Sequence, residues 1–125
     1  MIRGISFAEV RIEQYHQAKG ADLTIGALRV DRESGKQFGI MQVDGDDRII
    51  GFQEKPANPR TIPGDNEHCL ASMGIYVFRT EVLLKELMAD AEDPKSSHDF
   101  GKDVIPRCLK SHRVVAWDFH DINAK

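Results

Sequence analysis

The chain has 125 residues, 41% of them hydrophobic and 30% charged, with a formal net charge of -3. That length suits one domain, or a piece of one, with a core of its own, and the balance is that of an ordinary globular chain. The acidic excess and the lack of a long basic run argue against a nucleic-acid partner, and no apolar stretch approaches a membrane span.

The N-terminal MIRGISFAEVR has no signal-peptide run. Ser6 to Glu9 has the form of a capping box and predicts a helix start, with Phe7, Val10, Tyr15 and Ala18 on one face and Gly20 as the stop. DLTIGALRV (22–30) reads as a buried strand. FGIMQV (38–43) and RIIGFQE (48–54) flank Asp-Gly-Asp-Asp and predict a hairpin. Residues 55–68, with three prolines, form the longest loop. CLASMGIYVF (69–78) is apolar on both alternating faces apart from Ser72, as in a strand covered on both sides.

Thr80 is placed to cap the next helix, whose Leu84, Leu87, Met88 and Ala91 form an apolar stripe. The acidic residues from Glu81 to Asp93 read as its solvated face. A polar loop (93–99), a shorter helical stretch broken by Pro106 and a last strand (113–119) complete the pattern. Mixed strands and helices define an α/β fold with both sheet faces partly covered. Opening on a helix and stopping soon after a strand is unusual for such a fold and suggests an excised segment.

The sequence carries no zincin motif, Walker loop, dinucleotide fingerprint or nucleophile elbow. His16, His68, His98, His112 and His120 sit among polar neighbours and read as surface residues. Cys69 and Cys108 fit neither zinc spacing nor a disulfide framework and read as reduced thiols of a cytoplasmic protein. Met41, Met73, Met88 and Trp117 are most simply packing residues.

The pair Glu54-Lys55 ends a strand just before Pro56 and Pro59. Neighbours on a regular strand face opposite ways, so both can serve one ligand only if the strand ends or bends there. Pro56 biases Lys55 towards extended backbone and terminates the strand. The ammonium can meet a phosphate while the carboxylate accepts from sugar hydroxyls; a solvated strand end is the plainer alternative. Ser72 either bonds the backbone or faces a ligand. Gly39 marks a bulge or a close approach, and Asp99, before Phe100, reads first as a helix cap.

Three stretches taken together go further. FGIMQVDGDDRIIGFQEKPANP (38–59), LASMGIYVF (70–78) and SSHDFGKDVIP (96–106) closely resemble the ADP-glucose pyrophosphorylase (glucose-1-phosphate adenylyltransferase) family, and the likeness runs from about Lys19 to Trp117. The resemblance implies a Rossmann-like sugar-nucleotidyltransferase fold with a mixed sheet flanked by helices. It implies that Lys55 holds the phosphate of glucose 1-phosphate, that Glu54 and Ser72 bond glucose hydroxyls, and that Gly39 lies against the sugar. Asp99 and Phe100 fall near the sugar-nucleotide pocket. Implied partners are glucose 1-phosphate, ADP-glucose, ATP and other copies of the chain, in a family that is typically tetrameric.

The departures are as informative. The family's Gly-rich ATP loop has no counterpart here, and its C-terminal β-helix domain is missing. Its first metal-binding aspartate would align with Met1 to Ile5, where there is none, and its second is expected soon after residue 125. Asp121 lacks the right context. The resemblance therefore implies Mg2+ in the parent enzyme but no metal ligand and no catalytic residue in this chain. The expectation is that residues 1–125 form the sugar-phosphate half of a catalytic domain, inactive alone. Two other readings are a non-catalytic sugar-phosphate-binding or subunit-interaction protein and a purely structural remnant.

Overall fold

The computed structural model describes residues 7–118, the side chains of residues 7–10 excepted. Helix α1 (Phe7–Ala18) leads into strand β1 (Leu23–Asp31), a short helix α2 (Arg32–Gly35), and the hairpin β2 (Gly39–Val43) and β3 (Ile49–Glu54). Strand β4 (His68–Phe78), helix α3 (Thr80–Ala91), a π-helical turn (Phe100–Val104), helix α4 (Ile105–Ser111) and strand β5 (Val114–Asp118) follow. The strands form one mixed sheet in the order β3-β2-β4-β1-β5, parallel between β1 and β5 and antiparallel elsewhere. The expected α/β class and mixed sheet are thus observed.

Alternation along the strands divides the core. Leu23, Ile25 and Ala27 of β1, Met41 of β2, Leu70 of β4 and Val114 and Ala116 of β5 share one cluster with Val104, Ile105 and Cys108. The opposite face carries Ile40, Cys69 and Ala71, with α2 so close that a Cβ on Gly35 would lie 3.3 Å from the Cys69 sulfur. Both cysteines are buried free thiols, and burial, reinforced by the Glu86 charge, pushes the Cys108 thiol up to about 12. The hairpin turn folds across onto β5, where the Ala116 N–H donates to the Asp47 carbonyl (2.9 Å).

Helix α1 ends as its sequence predicts. Gly20, at φ 59°, closes a Schellman motif in which the Ala21 N–H reaches the His16 carbonyl (3.2 Å) and the Gly20 N–H that of Gln17 (3.1 Å). The capping box at Ser6 lies outside the described residues, as do the side chains of Phe7 and Val10. Its buried face is set by Ile12 and His16, while Ala18 is exposed. His16 is therefore no surface histidine: its Nδ1 lies 2.7 Å from Thr24 Oγ1.

Burial holds the His16 imidazole below its ordinary 6.5. The unfolded chain takes up this proton first, so stability falls as pH drops through 6.5 towards the folded value. Urea midpoints measured from about pH 7.5 down to about 5.5 should show this decline, and a His16→Gln chain should show a flatter one.

Three sequence expectations are corrected. Arg79, not Thr80, occupies the N-cap of α3, without a side-chain bond, because Thr80 is already helical. The stripe on α3 faces outward: Leu84, Leu87 and Met88 are exposed, whereas Glu86 and Asp90 are buried. Polar partners supplied by the segments around α4 reverse the orientation that apolar periodicity predicts. Strand β4 is not covered throughout. Met73, Gly74 and Ile75 bulge opposite Gly26, with Gly74 at φ 76°, and leave Met73 and Ile75 exposed. Met41 and Trp117 are core residues as expected; Met73 and Met88 are not.

Candidate substrate-binding site

Sheet register assembles the site. Gly39 pairs with Glu54, and the pairing Ile40↔Ala71 carried one residue further sets Gly39 opposite Ser72. Ser72 pairs with Ala27, and Ala27 with Asp118. Paired residues present their side chains on one face, so Glu54, Gly39 and Ser72 lie in a single row across the sheet. It is the face that carries Met41 and Leu70, against which the π-helical turn packs.

Each member has a local cause. Ser72 sits where β4 begins to bulge, and its hydroxyl accepts the Gly74 N–H at 3.3 Å, the backbone bond that the sequence offered as one alternative. Gly39 leaves room for the Phe52 ring, which occupies the place of the missing Cβ. Asp99 is the cap its position suggested: its carboxylate accepts the Lys102 N–H at 2.8 Å. Phe100 packs on Tyr76 and Phe78, with ring centroids 4.6 and 5.7 Å apart, which pins the start of the π-helical turn to β4.

Lys55 departs from expectation. Pro56 should hold it extended, yet its φ is 45°, in the left-handed region that costs a non-glycine residue about 1–3 kcal/mol. The Lys55 N–H donates to the Phe38 carbonyl at 3.0 Å, one rung beyond the β2–β3 ladder, and this bond holds the turn. The positive φ breaks strand alternation immediately after Glu54, which frees the pair from opposite faces. Both side chains are exposed and neither forms an ion pair with any of the described residues, as the solvated strand end would also have them.

One participant was not foreseen. A Cβ on Gly101 would stand 2.6 Å from Glu54 Oε2 and 3.7 Å from Asp99 Oδ1. The absence of a side chain lets the Asp99–Gly101 stretch close on the Glu54 carboxylate. The only sequence signal was a glycine directly after Phe100 at a helix start. Gly101→Ala should leave stability nearly unchanged, because the displaced group is the far end of a flexible side chain. It should displace the Glu54 carboxylate, as read by a shift of the Glu54 side-chain resonances in NMR spectra.

Among the described residues, no three His, Cys, Asp or Glu side chains are grouped to hold a metal ion. The set does not fit a divalent cation. No helix among those described is long and apolar enough to cross a membrane.

A mixed sheet flanked by helices, with polar groups gathered in one row across it, is an α/β frame. The nucleotidyl transferase family model matches residues 6–122, and the chain belongs to that family. Within it, the chain is similar to enzymes named glucose-1-phosphate adenylyltransferase. It is 55% identical over 111 residues to that of Rhodopirellula baltica, 89% of this chain and 25% of the relative. It is 50% identical over 107 residues to that of Paramagnetospirillum magneticum, 86% and 25% of the two chains. Against that of Sinorhizobium fredii it is 56% identical over 106 residues, 85% and 25%. The chain thus spans about a quarter of the length of these curated relatives.

Proposed function

We propose that this chain holds glucose 1-phosphate for adenylyl transfer from ATP, a reaction that gives ADP-glucose and pyrophosphate. The carrying observation is the row Glu54–Gly39–Ser72 on one sheet face, closed at Glu54 by Gly101 and followed at once by the turned Lys55. The names of the relatives give the reading its substrate.

In this account the Lys55 ammonium anchors the phosphate as a point charge and keeps its proton throughout. Glu54 and the Ser72 hydroxyl bond the sugar hydroxyls, the charge-assisted bond to Glu54 being worth about 1.5–3 kcal/mol and the neutral one to Ser72 about 0.5–1.5 kcal/mol. The anchored phosphate oxygen then attacks the α-phosphorus of ATP as pyrophosphate leaves, so alignment is what these residues contribute. Asp99 and Phe100 act indirectly, by shaping the stretch that meets Glu54. ATP and Mg2+ belong to the reaction of the whole enzyme, and Mg2+ would take its ligands from outside the described residues. The chain is the sugar-phosphate half of a catalytic domain and does not turn over alone. Self-association through the outer edge of β3, where Ile50 is exposed, and a cytoplasmic location with reduced thiols go with this reading.

Calorimetric titration with glucose 1-phosphate, glucose and inorganic phosphate tests the proposal. Glucose 1-phosphate should bind more tightly than either part, because only it engages both Lys55 and the hydroxyl acceptors. Equal affinity for phosphate alone would reduce the site to a general anion site, and no binding of any of the three would overturn the reading.

A further inference from the structure

We propose that His98 is a positioning residue of this site: its bond to Asp90 sets the Asp99–Gly101 stretch against Glu54 and thereby raises affinity for the sugar phosphate. The inference rests on the reading above.

His98 has φ 61°, the left-handed region where a side chain is strained and glycine is not. A loop that only had to reach α4 would be better served by glycine. What the imidazole adds is a bond: Nδ1 lies 2.9 Å from Asp90 Oδ2. The Asp90 carboxylate is buried, and the Ser96 hydroxyl, with His98 after it, holds it below the usual carboxylate range. An ionised carboxylate only accepts, so Nδ1 carries the proton and His98 donates.

The same carboxylate accepts from Ser96 Oγ, which in turn accepts the His98 N–H at 2.9 Å. Residues 96–98 are thus tied to one buried group on α3. A second carboxylate fixes the next step: Asp103 Oδ2 accepts from Ser97 Oγ at 2.8 Å and from the Asp99 N–H at 3.0 Å. Two residues beyond Asp99 stands Gly101, against Glu54. Phe100, anchored on Tyr76 and Phe78, lines with His98, Leu87 and Val104 a shallow apolar bed beside α3. His98 is thus the first of three anchors, with Asp103 and Phe100, that set the stretch at Glu54.

Three variants of the full chain separate bond from backbone. His98→Gly keeps the left-handed turn and loses the bond. His98→Asn tolerates the turn and can still donate to Asp90. His98→Ala loses the bond and keeps a side chain at the left-handed turn. Two readouts are taken: the dissociation constant for glucose 1-phosphate, and, without ligand, the NOE between Gly101 Hα and the Glu54 side chain.

The Gly and Ala variants should bind about fivefold more weakly, on the scale of one hydrogen bond, and lose the NOE, while Asn restores both. Should Ala fail to fold, Gly and Asn decide alone. A Gly variant with wild-type affinity and an intact NOE would overturn the proposal, as would an Asn variant no better than Gly. If the unaltered chain does not bind glucose 1-phosphate, the functional reading fails, and the ligand-free NOE still decides whether His98 positions the stretch.

Discussion

Replacing His112 by alanine is expected to destabilise the chain by about 2 kcal/mol, the usual result of taking the hydrogen-bond partner away from a buried carboxylate. His112 Nε2 lies 2.9 Å from Glu86 Oε2, and the two side chains are only 12% and 5% exposed. Glu86 Oε1 already lacks a hydrogen-bond partner, so loss of the imidazole leaves the whole carboxylate buried and unbonded. His112 also stands 3.7 Å from Asp22, whose carboxylate accepts the Arg113 N–H and so ties β1 to the start of β5. The damage should therefore extend from α3 to the sheet. Urea unfolding would show the midpoint fall. The double variant Glu86→Leu, His112→Leu should recover most of the loss, because removing both partners leaves no stranded charge.

The second large effect concerns binding. Lys55→Ala should weaken glucose 1-phosphate binding by roughly 10- to 100-fold, the equivalent of one charge-assisted bond to phosphate, while leaving the fold intact. Lys55 is exposed and anchors no core contact. Alanine carries the same left-handed strain as lysine, so the backbone contribution cancels. Lys55→Arg should restore only part of the affinity, since a planar fork does not replace a compact ammonium in a site set for one. A dissociation constant unchanged in Lys55→Ala would remove this residue from the account.

The strands were legible because their apolar runs and turn residues agree with sheet pairing. The Asp-Gly-Asp-Asp turn set β2 beside β3, but Gly39 stands opposite Glu54 only because the register shifts between Gln42 and Val43, a bulge that no residue type announced. The short helix α2 passed unseen, since its four residues are too few to show a period. Helix α3 was read inside out. Its leucines follow helical spacing, but Glu86 and Asp90 find His112, Ser96 and His98, partners that only tertiary structure supplies. Periodicity measures hydrophobicity and cannot foresee a face buried through hydrogen bonds. Lys55 failed for a related reason: the rule for a residue before proline is local, while the Lys55 N–H bond to Phe38 comes from the neighbouring strand. Of the site, residue types and their order were readable. The closing of Gly101 on Glu54 was not, because it depends on a π-helical turn set by Asp99 and Phe100.

The most direct test of the central claim is a two-dimensional NMR titration of the 125-residue chain with glucose 1-phosphate. Saturable shifts should concentrate at Gly39, Glu54, Lys55, Ser72 and the Phe100–Gly101 amides, along the row that the sheet register defines. A folded spectrum that stays unmoved at those positions, or moves only elsewhere, would contradict it.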